Sequence, residues 1–194
     1  MLDDKLAFKD HINMIVGKIA KLLGIIYRLK QYFPLIILKQ IYNSLVLPHL
    51  SYCNLAWGCC STQVLQPLIL IQKKLVRILT SSDYLAHTSP LFHSLSILKL
   101  EDIYKFSLLN LMFQTLTLNK HPLIKQKITR FQSVHRYSVR NTNLTLPFIR
   151  VKKCEQLYLY QGIKQWNVLP SYLKALLSVS SFKNTYKRYL ISMY

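Results

Sequence analysis

Leu68-Ile69-Leu70-Ile71-Gln72-Lys73-Lys74-Leu75-Val76-Arg77-Ile78-Leu79 separates into two sides when wound as a helix. Leu65, Leu68, Ile71, Leu75, Ile78 and Leu79 recur at steps of three and four and form one apolar stripe, while Lys73, Lys74 and Arg77 fall opposite it. Ser61 or Thr62 provides the cap from which this helix starts. Upstream, Ile12, Ile15, Val16, Ile19, Leu22, Leu23 and Ile26 make a second stripe of about four turns. Phe33-Pro34 breaks it, because proline disfavours the helical conformation in the residue before it and is a good first helical residue itself. A helix using Leu35, Leu38, Ile41, Tyr42 and Leu45 is predicted from there, with Pro48 bending or ending it. Three antiparallel helices within residues 1–80 make a compact bundle.

The remainder, residues 81–194, reads as a smaller helical region. After the polar linker Thr80 to Thr88, Ser89-Pro90 opens a short helix to Leu95, and a longer one runs from Leu100 to about Leu118 with Glu101 and Asp102 favouring its dipole. Pro122 starts a short turn of helix. Gln132 to Asn143, rich in Ser, Arg and Asn, is expected to be the least ordered part. Asn143 to Phe148 and Gln156 to Tyr160 alternate apolar with polar residues, which predicts a short β-hairpin. Trp166 is expected to plug the core on a helix ended by Pro170, with Asn167 satisfying the backbone at that end. A last helix begins near Ser181 and turns Phe182, Tyr186, Tyr189 and Leu190 inward. The fold class is mainly α: a three-helix bundle, then the smaller region with its hairpin.

With 26 Lys and Arg against seven acids, the 194 residues carry a net charge of +19, and their 51% hydrophobic content is ample for a core. The excess is uneven: residues 1–98 hold ten basic and four acidic side chains, residues 99–194 sixteen and three. Such a field favours a polyanion, and nucleic acid is the commonest large one. The rival account is a solvated lysine-rich surface. The longest apolar stretch, Pro34 to Cys60, is interrupted by Lys39, Gln40, Asn43 and His49 and falls short of the roughly 20 apolar residues of a membrane span. Asp3, Asp4 and Asp10 spoil a secretory or mitochondrial signal, so an intracellular location is expected, nucleus or cytoplasm remaining open. Cys53, Cys59, Cys60 and Cys154 then read as free thiols. Joining His49 to Cys53, Cys59 and Cys60 around zinc is disfavoured, because the adjacent pair points its side chains apart. No metal or cofactor is expected.

Leu47-Pro48-His49-Leu50-Ser51-Tyr52-Cys53-Asn54-Leu55-Ala56-Trp57-Gly58, followed by Leu68 to Leu79, resembles the region downstream of the catalytic palm in reverse transcriptases of non-LTR, LINE-like retrotransposons of the jockey type. Further pieces follow in that family's order. Leu2-Asp3-Asp4-Lys5-Leu6 with Phe8-Lys9-Asp10-His11-Ile12 resembles the segment leaving the palm, and Lys18 with Leu22-Leu23-Gly24 the first thumb helix. Ser89-Pro90-Leu91-Phe92 and Ile97-Leu98-Lys99-Leu100 resemble the middle block. His135-Arg136-Tyr137-Ser138-Val139-Arg140, Gly162, Trp166-Asn167-Val168-Leu169-Pro170 and Phe182-Lys183 resemble the tail. Cys53 stands where the family usually has a small residue.

The resemblance implies a thumb-like bundle and connector from an RNA-directed DNA polymerase, without the polymerase chemistry. Polymerase carboxylates hold two magnesium ions. Only Met1 and Leu2 precede Asp3-Asp4, so the palm strand and its third carboxylate are missing, and the pair matches a turn entering the thumb. Six scattered histidines and four glycines define no other catalytic constellation, and the chain alone is expected not to be an enzyme. The implied partners are RNA or an RNA/DNA duplex, together with the palm and fingers of a parent polymerase. Lys73, Lys74 and Arg77 are candidates for tracking phosphates. Arg136, Arg140, Arg150, Lys152 and Lys153, with His135 and Tyr137, form a second cluster suited to single strands. Tyr52, Trp57 and Trp166 read as core anchors before stacking platforms, and His11 and His49 as hydrogen-bonded core or cap residues. An inert or domesticated protein-interaction module with inherited charge is the alternative function.

Overall fold

In a computed structural model, residues 7–128, 143–151, 155 and 157–194 are described. They are mainly helical and divide into two compact units: the first runs to Tyr104 and takes in Tyr189–Tyr194, and the second is Lys105–Arg188.

In the first unit, α1 (Lys9–Leu29) buries Ile12, Ile15, Ile19 and Ile26 against α5 (Thr62–Leu79), which contributes Leu65, Leu68, Ile71, Leu75 and Leu79. The two run in the same direction. Ala7 and Cys60 meet where they begin, and Tyr27 and Lys30 gather with Lys74 and Arg77 where they end. Between them the chain returns through α2 (Leu35–Ile41), a π turn (Tyr42–Val46) and α3 (Leu47–Ser51). Along this rod Leu38, Tyr42, Val46 and Leu50 are buried, a repeat of four that a helix of 3.6 residues per turn would rotate out of the core. The wider π turn keeps all four on one side, and it exposes Leu45, expected to be buried, in favour of Val46. The helix continues past Pro48 to Ser51, and the π turn directly before Pro48 gives its ring room that a regular helix would deny it. The short α4 (Asn54–Trp57) buries Trp57, whose indole donates to the Tyr52 carbonyl at 2.9 Å, while the Tyr52 side chain is exposed.

Beyond α5 lie α6 (Thr88–Leu95) and α7 (Leu100–Leu116), the latter starting in the first unit. A buried amide ties these parts together. Gln72 Nε2 donates to the Tyr42 hydroxyl at 3.0 Å and the Leu98 carbonyl at 2.9 Å, and its Oε1 accepts the Leu100 N–H at 2.9 Å. The Tyr194 hydroxyl accepts the Lys99 N–H at 2.9 Å, and the Lys99 ammonium lies 4.1 Å from the centre of the Tyr194 ring.

The second unit contains the remainder of α7, α8 (Pro122–Lys127), α9 (Tyr158–Val168), α10 (Ser171–Lys174) and most of α11 (Val179–Ile191). Apolar residues surround α7 on all sides, the pattern of a helix covered on more than one face. Phe113 stacks on Phe182 with ring centres 4.3 Å apart, and Phe182 stacks in turn on Tyr186 at 5.6 Å. Trp166 is buried.

The predicted β-hairpin is not present: there is no strand among the described residues. Tyr158, Leu159 and Tyr160, assigned to its second strand, form the first turn of α9. The Asn167 side chain binds the segment assigned to the first strand, because its Oδ1 accepts the Leu144 N–H and its Nδ2 donates to the Leu144 carbonyl, both at 2.9 Å. One amide thus meets both backbone groups of Leu144, and it acts across 23 positions, not at the end of its own helix. Of the alternating apolar residues Leu144, Leu146 and Phe148 only Leu144 is buried, so the alternation did not mark the face of a sheet. The expectation of weak order over Gln132 to Asn143 falls almost wholly outside the described residues.

Candidate nucleic-acid interface

The parallel course of α1 and α5 brings two helix C-termini to the same place. Partial negative charge gathers there, and cations in the last turns offset it. Leu23, Tyr27 and Lys30 from the α1 side meet Lys74, Arg77 and Ile78 of α5, and Ser82 and Tyr84 from the following loop complete a hollow of about 300 Å³. Its lining is mostly apolar, with three cationic side chains along it. Lys74 and Arg77 are one helical turn apart, so both reach the hollow. The Lys30 ammonium lies 5.0 Å from the centre of the Tyr27 ring.

Arg77 also holds the local structure together, since its Nε donates to the Ala86 carbonyl at 2.9 Å and fastens the loop after α5. That bond uses one of five guanidinium donors, and the remaining fork suits a phosphate. Asp83 is the acid nearest in sequence to the hollow, and its Oδ1 accepts the N–H of Tyr84. Among the described residues, no carboxylate is paired with Lys30, Lys74 or Arg77.

Lys73 does not share this hollow. It lines another of about 200 Å³ with Gln72, His87, Ser89, Phe92, Lys99 and Glu101, where the Lys99 ammonium donates to the Ser89 hydroxyl at 3.1 Å. The sequence grouped Lys73 with Lys74 and Arg77, and the structure divides the three between two hollows of the first unit. Lys30, Tyr27 and Tyr84 were missed by the sequence reading. Lys30 ends the α1 stripe, and only the shared direction of α1 and α5 places it beside Lys74.

Of the second cluster, Arg150 is described and exposed, lining an apolar hollow of about 420 Å³ with Phe148, Val151, Leu157 and Tyr160. Arg136, Arg140, Lys152 and Lys153, with His135 and Tyr137, lie outside the described residues.

His11, expected to be hydrogen-bonded, packs with its ring centre 6.1 Å from that of Trp57 and leaves buried Nε2 without a partner among the described residues. Burial foremost, then nearby positive charge including that of Lys18, lowers its pKa from the usual histidine value. Cys53 is exposed, and Cys59 and Cys60 are half-buried. No group of three metal-ligating side chains comes together among the described residues, and no helix there is long and apolar enough to cross a membrane.

No family model, curated protein or solved structure matches the chain.

Proposed function

We propose that these residues form a nucleic-acid-binding, thumb-like part of a retrotransposon RNA-directed DNA polymerase. It grips the phosphate backbone of RNA or of an RNA/DNA duplex without reading sequence. The observation that carries the binding is the gathering of Lys30, Lys74 and Arg77 around one hollow, in a chain of net charge +19. The polymerase ancestry rests on the ordered motifs quoted from the sequence. Base-specific readout needs side chains presented to groove edges in fixed geometry, whereas flexible lysines meet phosphates.

The test is fluorescence anisotropy with two RNA/DNA duplexes of unrelated sequence at several salt concentrations. Lys30→Gln with Lys74→Gln should weaken both duplexes alike and flatten the salt slope by up to about two contacts, at about 0.9 per contact by analogy with B-DNA. Unchanged affinity and slope in a folded double variant would refute the proposal. That result would favour a protein-interaction module with inherited charge. The observation behind this second reading is the run of exposed apolar side chains at the α1–α2 turn: Tyr32, Phe33, Leu35 and Ile36.

A further inference from the structure

We infer that the hollow bordered by Tyr27 and Tyr84 receives one unpaired nucleobase of a single-stranded RNA or DNA, whose neighbouring phosphates rest on Lys30, Lys74 and Arg77. This deepens the nucleic-acid reading above and rests on it. A set of cations would be enough to attract a phosphate. It leaves unexplained why Leu23 and Ile78 line the same hollow, and why two tyrosines, 53% and 69% exposed, border it. Apolar, aromatic and cationic side chains together match a nucleotide: a flat ring with hydrophobic faces joined to an anion. At about 300 Å³ the hollow is at the small end of ligand sites, in keeping with one base and its sugar.

The base must be unpaired. Inside a duplex both faces of each base are covered by its neighbours, and only edges and backbone remain for a protein to touch. Stacking on tyrosine therefore selects a strand end, a gap or a single strand. The side chains lining the hollow include no carboxylate, asparagine or glutamine, and its lysines and arginine are assigned to phosphates, so stacking outweighs edge readout and every base should be accepted. Lys30 now covers one face of Tyr27. An exposed cation–π pair is weaker than base stacking on the same ring, so an arriving nucleotide can take the ring while the ammonium moves onto its phosphate.

The experiment uses the full chain, a labelled oligouridine and an RNA/DNA duplex of equal length. Tyr27→Ala with Tyr84→Ala should lower the ratio of single-strand to duplex affinity by about tenfold or more, the order expected from the loss of base stacking. Tyr27→Phe with Tyr84→Phe should restore that ratio, since the stacking face is kept. An unchanged ratio in the alanine pair overturns the inference, and if Lys30→Gln with Lys74→Gln still weakens both ligands, the wider function survives it. Loss of neither ligand in the lysine pair overturns both. Should the alanine pair fail to fold, an oligonucleotide carrying 2-aminopurine decides the matter on the wild-type chain. Its fluorescence should change as the base stacks, and an unchanged signal at saturation overturns the inference.

Discussion

Replacing Gln72 with leucine keeps the side chain's size while removing three hydrogen bonds. The Tyr42 hydroxyl, the Leu98 carbonyl and the Leu100 N–H would lose their partner at a site where Tyr42 is fully buried and Gln72 itself is 2% exposed. Each buried group left unsatisfied costs about 1–3 kcal/mol. Three of them amount to about 3–6 kcal/mol, allowing for some relaxation of the Tyr42 hydroxyl. Domain stability is about 5–15 kcal/mol, so the loss should be a large part of the total. Urea unfolding followed by circular dichroism measures it. Tyr42→Phe alone should cost about 1 kcal/mol, since Nε2 keeps the Leu98 carbonyl, and the double variant should lose less than the sum because the pair shares one bond. A Gln72→Leu variant as stable as the wild type, or strict additivity with Tyr42→Phe, would refute the view that this amide is the fastening of the first unit.

Cys53→Gly should stabilise the chain by about 0.5–1 kcal/mol: relief of the left-handed backbone at φ 50° exceeds the entropic penalty of glycine, and the lost side chain is exposed. A lowered melting temperature would contradict this. Gly58→Ala should destabilise by about 2 kcal/mol, because its Cβ would come 2.6 Å from the Asn54 carbonyl and 2.7 Å from the Tyr104 ring. Gly162→Ala should be milder, since its Cβ would meet the flexible Met112 side chain at 2.8 Å; equal losses in chemical denaturation would sink the comparison. The lowered pKa of His11 means that the unfolded chain takes up a proton more readily than the folded one. Its contribution is therefore complete above about pH 6.5 and is lost as pH falls from there through the folded value, and His11→Gln should flatten unfolding midpoints measured between pH 7 and pH 5. These 194 residues expressed alone should incorporate no nucleotide on a primed RNA template with magnesium or manganese; extension abolished by Asp3→Asn with Asp4→Asn would reverse that expectation.

The stripes of α1 and α5 were legible because their apolar residues keep the 3.6 period without interruption. The middle rod was legible as a helix but its buried set was not, because the reading assumed α winding throughout and so chose Leu45 over Val46. Asn167 was read as an end-cap for its own helix, since periodicity has no means of announcing a partner at Leu144. For the candidate site, Lys74 and Arg77 followed from spacing on one helix. Lys30, Tyr27 and Tyr84 depended on the shared direction of α1 and α5 and on the loop held by Arg77, which are tertiary facts.

The π turn at Tyr42–Val46 has a bearing on how this rod tolerates changes of length. A π turn is an α-helix that has gained one residue. If one of the exposed residues Asn43, Ser44 or Leu45 were removed, the steps between the buried positions would become four, three and four, the rhythm that an ordinary helix keeps on one face. The rod could lose that residue without turning its apolar side. Pro48 opposes the change, because in a regular helix its ring would press against the carbonyl four residues earlier. Insertion and proline therefore form a matched pair: lineages that drop the extra residue should also drop the proline.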